Sequence, residues 1–114
     1  MPDCLFCQIV EKAVPANILY EDDQCLGFAD INPQARVHVL VIPKRHLVSL
    51  TDATEHDAGL LGHLLVVCGK IAREQGVTES GYRVVANTGR EAGQSVFHLH
   101  FHVLGGRVLK WPPG

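Results

Sequence analysis

The stretch Val96-Phe97-His98-Leu99-His100-Phe101-His102-Val103-Leu104 sets imidazoles at every second position between apolar neighbours. Side chains alternate sides along a β-strand. A strand over residues 96–104 therefore puts His98, His100 and His102 on one face. Leu99, Phe101 and Val103 take the other, where a helix can cover them. Neighbouring histidines on such a face stand roughly 6.5–7 Å apart, from about 3.3 Å of rise per residue. One phosphate group can touch two of them.

The elements around this strand suggest how it is housed. Upstream, Tyr82–Asn87 reads as a strand, separated from the histidines by the polar, glycine-bearing loop Thr88–Ser95. Before it, Leu60, Leu61, Leu64, Leu65, Cys68, Ile71 and Ala72 form an apolar stripe at three- and four-residue spacing, the mark of a long helix with one buried face. Asp52 with Glu55 resembles a capping box at its start, and Gly76 supplies its stop. Val37–Pro43 is a β-branched run suited to a buried strand, with His38 inside it. Ile18–Tyr20 and Cys25–Phe28 read as strands around the acidic turn Glu21-Asp22-Asp23, and Asn32-Pro33-Gln34 as a turn. Cys4–Lys12 is a short helix closed by Val14-Pro15. Helix, three strands, helix and two strands, with short connections and no repeated βαβ unit, predict an α+β fold. Its sheet is five-stranded and mostly antiparallel, with a short N-terminal helix and one long helix.

Composition bounds the function. A chain of 114 residues is one domain, spanning 1–114, and 46% hydrophobic residues suffice for a core. The net charge of −2 advertises neither a nucleic-acid nor a membrane surface. There is no basic segment followed by an apolar stretch at the N-terminus, and no apolar run near the roughly 18 residues of a membrane span. A cytoplasmic location is expected. In that reducing setting Cys4-Leu5-Phe6-Cys7 argues for a metal or redox pair rather than a disulfide. Free buried thiols are the plain alternative, and no βαβ context supports a thioredoxin-like pair. Cys25 and Cys68 sit in apolar runs and read as core.

Three readings compete for the histidines: a solvated strand face, a three-histidine zinc site, and chemistry on phosphorus. An imidazole with a pKa near 6.5 is roughly three-quarters neutral at pH 7, so a nucleophilic nitrogen is available there. The preceding loop favours phosphorus. Gly89 and Gly93 allow backbone N–H groups to turn inward around an anion, while Gln94 and Ser95 add side-chain donors.

The run His98-Leu99-His100-Phe101-His102-Val103-Leu104 is similar to the signature of the histidine triad superfamily. Phe28-Ala29-Asp30-Ile31-Asn32-Pro33 resembles that family's nucleoside-pocket segment. Asn87, Gly93-Gln94-Ser95, Gly105-Gly106 and the ending Trp111-Pro112-Pro113-Gly114 resemble its Hint branch in particular. The likeness covers nearly the whole chain. It implies a hydrolase acting on purine nucleotide conjugates, adenosine or guanosine 5′-phosphoramidates above all. His100 would attack the α-phosphorus, and water would then release the covalent nucleotidyl-histidine. His102 would bind phosphate, with Asn87, Gly93, Gln94 and Ser95 beside it. Asp30 would accept the ribose hydroxyls, and Leu5, Phe6, Ile9, Phe28 and Ile31 would enclose the base. His38 would support the site, whereas His56 and His63 are surface or packing residues on the long helix.

The resemblance also implies a metal centre and a partner. In zinc-bearing relatives the ligands match Cys4, Cys7, His46 and His98, a closed structural site, with no metal needed for the chemistry. A homodimer is implied, formed edge to edge, with Trp111 reaching the partner's site. A dinucleoside polyphosphate hydrolase is the alternative within the superfamily, and a nucleotide-binding regulator or scaffold the alternative outside enzymes.

Overall fold

The computed structural model describes residues 3–114. Its elements run α1 (Leu5–Val10), β1 (Ile18–Glu21), β2 (Cys25–Ala29), β3 (Val37–Pro43), α2 (Ala58–Glu74), β4 (Tyr82–Val85) and β5 (Phe101–Gly105), with one-turn 3₁₀ helices at Leu50–Asp52, Glu55–Asp57 and Arg90–Ala92. The five strands form one sheet in the order β1-β2-β3-β5-β4, every neighbouring pair antiparallel. This is the predicted α+β architecture.

Alternation along the central strands divides the sheet into two faces. On one, Val37, Val39 and Val41 of β3 and Phe101 and Val103 of β5 pack with Leu64, Val67, Cys68, Ile71 and Ala72 of α2. On the other, Leu26, Phe28, Leu40 and Ile42 pack with Phe6 and Ile9 of α1. Each fully buried large aliphatic side chain contributes about 1.5–3 kcal/mol. Cys25 and Cys68 lie in the α2-side cluster, and burial pushes both thiols up to about 12.

The structure corrects several boundaries. The last strand starts at Phe101 rather than Val96. The β3–β5 ladder ends with Val41 opposite Phe101; continued in the same register it would set Leu99 opposite Pro43, which has no N–H to donate. Beyond it the chain turns away, and Leu99 N–H instead bonds the Leu47 carbonyl at 2.6 Å. The capping box before the long helix is Thr54 with Asp57, not Asp52 with Glu55: Thr54 Oγ1 accepts the His56 N–H and Asp57 Oδ2 accepts the Thr54 N–H. Asp57 also pairs with Arg45, which fixes this end of α2 beside the chain that leaves β3. At the far end, the Gly76 and Val77 N–H groups bond back to the Arg73 and Ala72 carbonyls, closing α2 where the glycine predicted it. Within α2, Leu65 points outward at 51% exposure and Val67, absent from the predicted stripe, is buried. α1 stops at Val10, ahead of Val14-Pro15, and Lys12 takes a left-handed φ of 64°. β4 ends at Val85, two residues short of Asn87.

Gly105, where β5 ends against the residue that follows α2, is required by space. A Cβ there would lie 2.9 Å from Val77 Cβ and 3.0 Å from each of its methyl carbons, and Val77 is fully buried. Gly105→Ala is expected to lower the unfolding free energy by about 1–3 kcal/mol through overpacking. An unchanged urea midpoint would contradict this packing.

Candidate functional site

The histidines lie on the α1 side of the sheet. His98 and His100 precede β5 and His102 is its second residue, so only His102 sits in the ladder, opposite Leu40. His98 is fully buried and His100 nearly so. Phe6 stands edge-on to both rings, with centroids 5.9 Å from His98 and 5.1 Å from His100, and edge-on to Phe28 at 5.4 Å.

Hydrogen bonds assign each imidazole a different face. His100 Nδ1 donates to the His98 carbonyl at 2.7 Å, which leaves Nε2 with its lone pair. His102 is reached through His38. The Gln34 backbone N–H can only donate, so His38 Nδ1, 3.0 Å away, accepts. The His38 proton then lies on Nε2, 2.9 Å from His102 Nδ1 and 3.3 Å from Asp30 Oδ2. His102 Nδ1 accepts, so its proton lies on Nε2, available to an anion. Burial, then the charges of His100 and His38, lower His102 to about 4, against the opposing pull of Asp30. Burial likewise lowers His38, again opposed by Asp30.

His98 turns away from this chain of rings. Its Nε2 donates to the Pro43 carbonyl at 2.8 Å, so Nδ1 carries the lone pair. That nitrogen lies 3.2 Å from His46 Nδ1, 3.4 Å from Cys4 Sγ and 3.5 Å from Cys7 Sγ, while Cys7 Sγ is 3.2 Å from His46 Nδ1. A tetrahedral zinc ion with nitrogen and sulfur ligands has edges of roughly 3.3–3.8 Å, close to these spacings. The donor set and its orientation by Pro43 are compatible with zinc. Cys4 is also the N-cap of α1, its Sγ accepting the Cys7 N–H. Two further clusters fit a cation less well. In Asp30–His38–His102, the nitrogen that would ligate is the protonated one of His38. In Asp22–Cys25–His63, Asp22 already accepts the Gln24 and Cys25 N–H groups and the Tyr20 hydroxyl, and Cys25 holds its proton.

The other predicted residues are placed as follows. Phe6, Ile9 and Phe28 share one buried cluster, whereas Leu5 is half-exposed and Ile31 fully exposed. Asp30 Oδ1 accepts the Asn32 N–H, and Oδ2 faces His38. Asn87 is half-buried just past β4, and Ser95 is exposed in a cleft of about 400 Å³ that Cys4, His46 and Phe97 also line. Gln94 braces the loop: Oε1 accepts the Gly89 N–H and Nε2 donates to the Val48 and Val96 carbonyls. The Gly93 and Gln94 N–H groups bond the Arg90 and Gly89 carbonyls, so the expected anion cradle draws on none of these three backbone donors. His56 is exposed. His63 is half-buried, its Nε2 2.6 Å from Asp22 Oδ2, which ties α2 to the β1–β2 turn. The sequence reading missed the Pro43 carbonyl, the Gln34 N–H and the Leu47 carbonyl. All are backbone atoms, which no residue-type pattern marks.

The chain matches the HIT domain family over residues 11–109. It is 54% identical to a HIT-like protein of Synechococcus elongatus over 112 residues, 98% of this chain and 97% of the relative. A HIT family hydrolase from Legionella pneumophila superposes with a TM-score of 0.97 at 45% identity, covering 98% of this chain and all of the other. A Zn-bound histidine triad family protein from Mycobacterium smegmatis superposes with a TM-score of 0.79 at 39% identity, covering 93% and 76%.

His102 and His38 take protons less readily folded than unfolded, where histidine titrates near 6.5. Between about pH 6.5 and 4 the unfolded chain therefore binds more protons. Stability is full above that window and falls within it as pH drops, by at most about 1.4 kcal/mol per pH unit for each histidine. Urea unfolding of His102→Asn should show a shallower fall across pH 6.5–4 than wild type; identical slopes would contradict the assignment.

Proposed function

The chain belongs to the HIT domain family, and on that premise we propose that it is a purine-nucleotide-binding hydrolase of the Hint type, cleaving nucleoside 5′-phosphoramidates and related conjugates. One observation carries the reading. His100 has one ring nitrogen tied to a carbonyl and the other free, beside an imidazole that can donate to phosphate.

The apolar wall of Phe6, Ile9 and Phe28 suits a purine base, which would cover the outlying Leu5 and Ile31. Asp30 Oδ2, half-exposed beside His38, would accept the ribose hydroxyls. His102 Nε2–H would hold a phosphate oxygen as charge develops on it. His100 Nε2 then attacks the α-phosphorus: an N–P bond forms to the histidine, the P–N bond to the leaving amine breaks, and the amine departs with a proton drawn from solvent, which the attacking water returns in the second step. Ser95 and Asn87 are assigned to the phosphate and leaving-group side, and Gly93 and Gln94 to the loop that carries Ser95. Water next attacks the phosphorus, its oxygen replaces Nε2, and the nucleoside monophosphate is released.

Cys4, Cys7, His46 and His98 would together hold one structural zinc ion, the ion supplying no step of the reaction. The Zn-bound relative from Mycobacterium smegmatis supports this. Four free thiols suit a reducing cytoplasm, and no helix among the described residues is long and apolar enough to cross a membrane. A homodimer is supported by the unpaired edge of β4, by Leu65 and Val66 exposed on α2, and by Trp111, 81% exposed on a tail that Arg83 pins through the Leu109 and Lys110 carbonyls.

Adenosine 5′-phosphoramidate is the test substrate. Wild type is expected to turn it over, and His100→Ala to lose at least about 10³-fold in rate while still binding AMP. Equal rates would remove His100 as nucleophile. Binding without turnover by wild type would refute the hydrolase.

A further inference from the structure

His98 joins two sites through two different groups. Its imidazole Nδ1 is in the Cys4–Cys7–His46 cluster, and its backbone carbonyl accepts the Nδ1–H of His100 at 2.7 Å. The β5 ladder begins only at Phe101. Residues 98–100 therefore approach the sheet held by other contacts: His98 Nε2–H on the Pro43 carbonyl, and Leu99 N–H on the carbonyl of Leu47, which directly follows His46. Phe6, between Cys4 and Cys7 in sequence, sets its ring edge against His100. An aromatic ring packed on the nucleophile and the backbone that orients it thus both come from segments that carry the cluster.

We infer that the Cys4–Cys7–His46–His98 cluster, in its metal-bound form, positions His100 and selects its tautomer. The inference rests on the hydrolase reading only for what His100 does afterwards. The Nδ1 atoms of His46 and His98 face each other at 3.2 Å. With the Pro43 carbonyl holding the His98 proton on Nε2, a lone pair of His98 points into that gap, where a proton on His46 Nδ1 meets it when no ion is bound. With both nitrogens and both sulfurs ligating one ion, the His98 ring is locked and its carbonyl stays aimed at His100 Nδ1. Without ligation only hydrogen bonds to His46, the thiols and the Pro43 carbonyl hold the ring, and the peptide carrying that carbonyl is free to shift. His100 is then free to place its proton on Nε2, the nitrogen that has to attack. Cys4, Cys7 and His46 are positioning residues in this scheme, and none touches substrate.

The test uses the full chain with ¹⁵N-labelled histidine and follows the His100 ring nitrogens by NMR in three forms: zinc-loaded, stripped by chelator, and Cys4→Ser. Serine keeps the α1 cap that Cys4 provides and removes its thiolate, so this variant serves if the stripped chain fails to fold. The zinc-loaded protein is expected to show a single tautomer with a slowly exchanging Nδ1 proton. The zinc-free forms, with β-sheet amide dispersion retained, are expected to show mixed tautomers and faster exchange. In single turnover, formation of the nucleotidyl-enzyme should slow at least tenfold in those forms, with AMP affinity changed less than threefold, and zinc should restore the stripped protein. An unchanged His100 tautomer and exchange rate without zinc would overturn the inference, as would a protein that takes up no zinc. A zinc-dependent tautomer in a protein that forms no nucleotidyl-enzyme would remove the hydrolase reading and leave the positioning role standing.

Discussion

The pairing of β3 with β5, and its end at Val41–Phe101, two residues before Pro43, is the constraint on which the rest of the molecule depends. Five residue pairs from Val37–Gly105 to Val41–Phe101 sort every second side chain to one face of the sheet. Valines and aromatics go to α2, while His38, Leu40 and His102 go to the side of α1. A one-residue slip would exchange the faces, sending His102 into the α2 core and Val103 into the site. The cost of burying an imidazole among valines holds the register.

Where the ladder stops, a different kind of attachment takes over. A proline at the end of β3 cannot donate, so the chain before Phe101 is held by side chains and by a bond to the segment after β3. This gap makes room for the Cys4–Cys7–His46–His98 cluster, drawn from α1, from the turn after β3 and from the approach to β5. The three histidines of the motif consequently have three environments. His98 faces sulfur and nitrogen, His100 faces a carbonyl on one side and open lone-pair chemistry on the other, and His102 ends a hydrogen-bonded chain that starts at the Gln34 N–H.

The same logic explains why neutral imidazoles suit this site. Burial disfavours the charged form of His102, and the positive potentials of its neighbours add to that. A neutral ring can still donate one N–H, and its tautomer is imposed by a relay of single-purpose backbone groups.

The sequence by itself determined the face of each histidine, the helix that covers the opposite face, the five-stranded antiparallel sheet and the family. These follow from periodicity and motif, which are local and repeat with the backbone geometry of strand and helix. Only the tertiary structure decided where β5 begins, which loop N–H groups are already taken, that Thr54 and Asp57 rather than Asp52 and Glu55 cap the approach to α2, and that Ile31 stands in solvent while Phe6 and Phe28 are buried. It also decided which ring nitrogen of each histidine carries the proton. Those outcomes depend on backbone carbonyls and amides brought together from distant parts of the chain, and every residue type carries the same carbonyl.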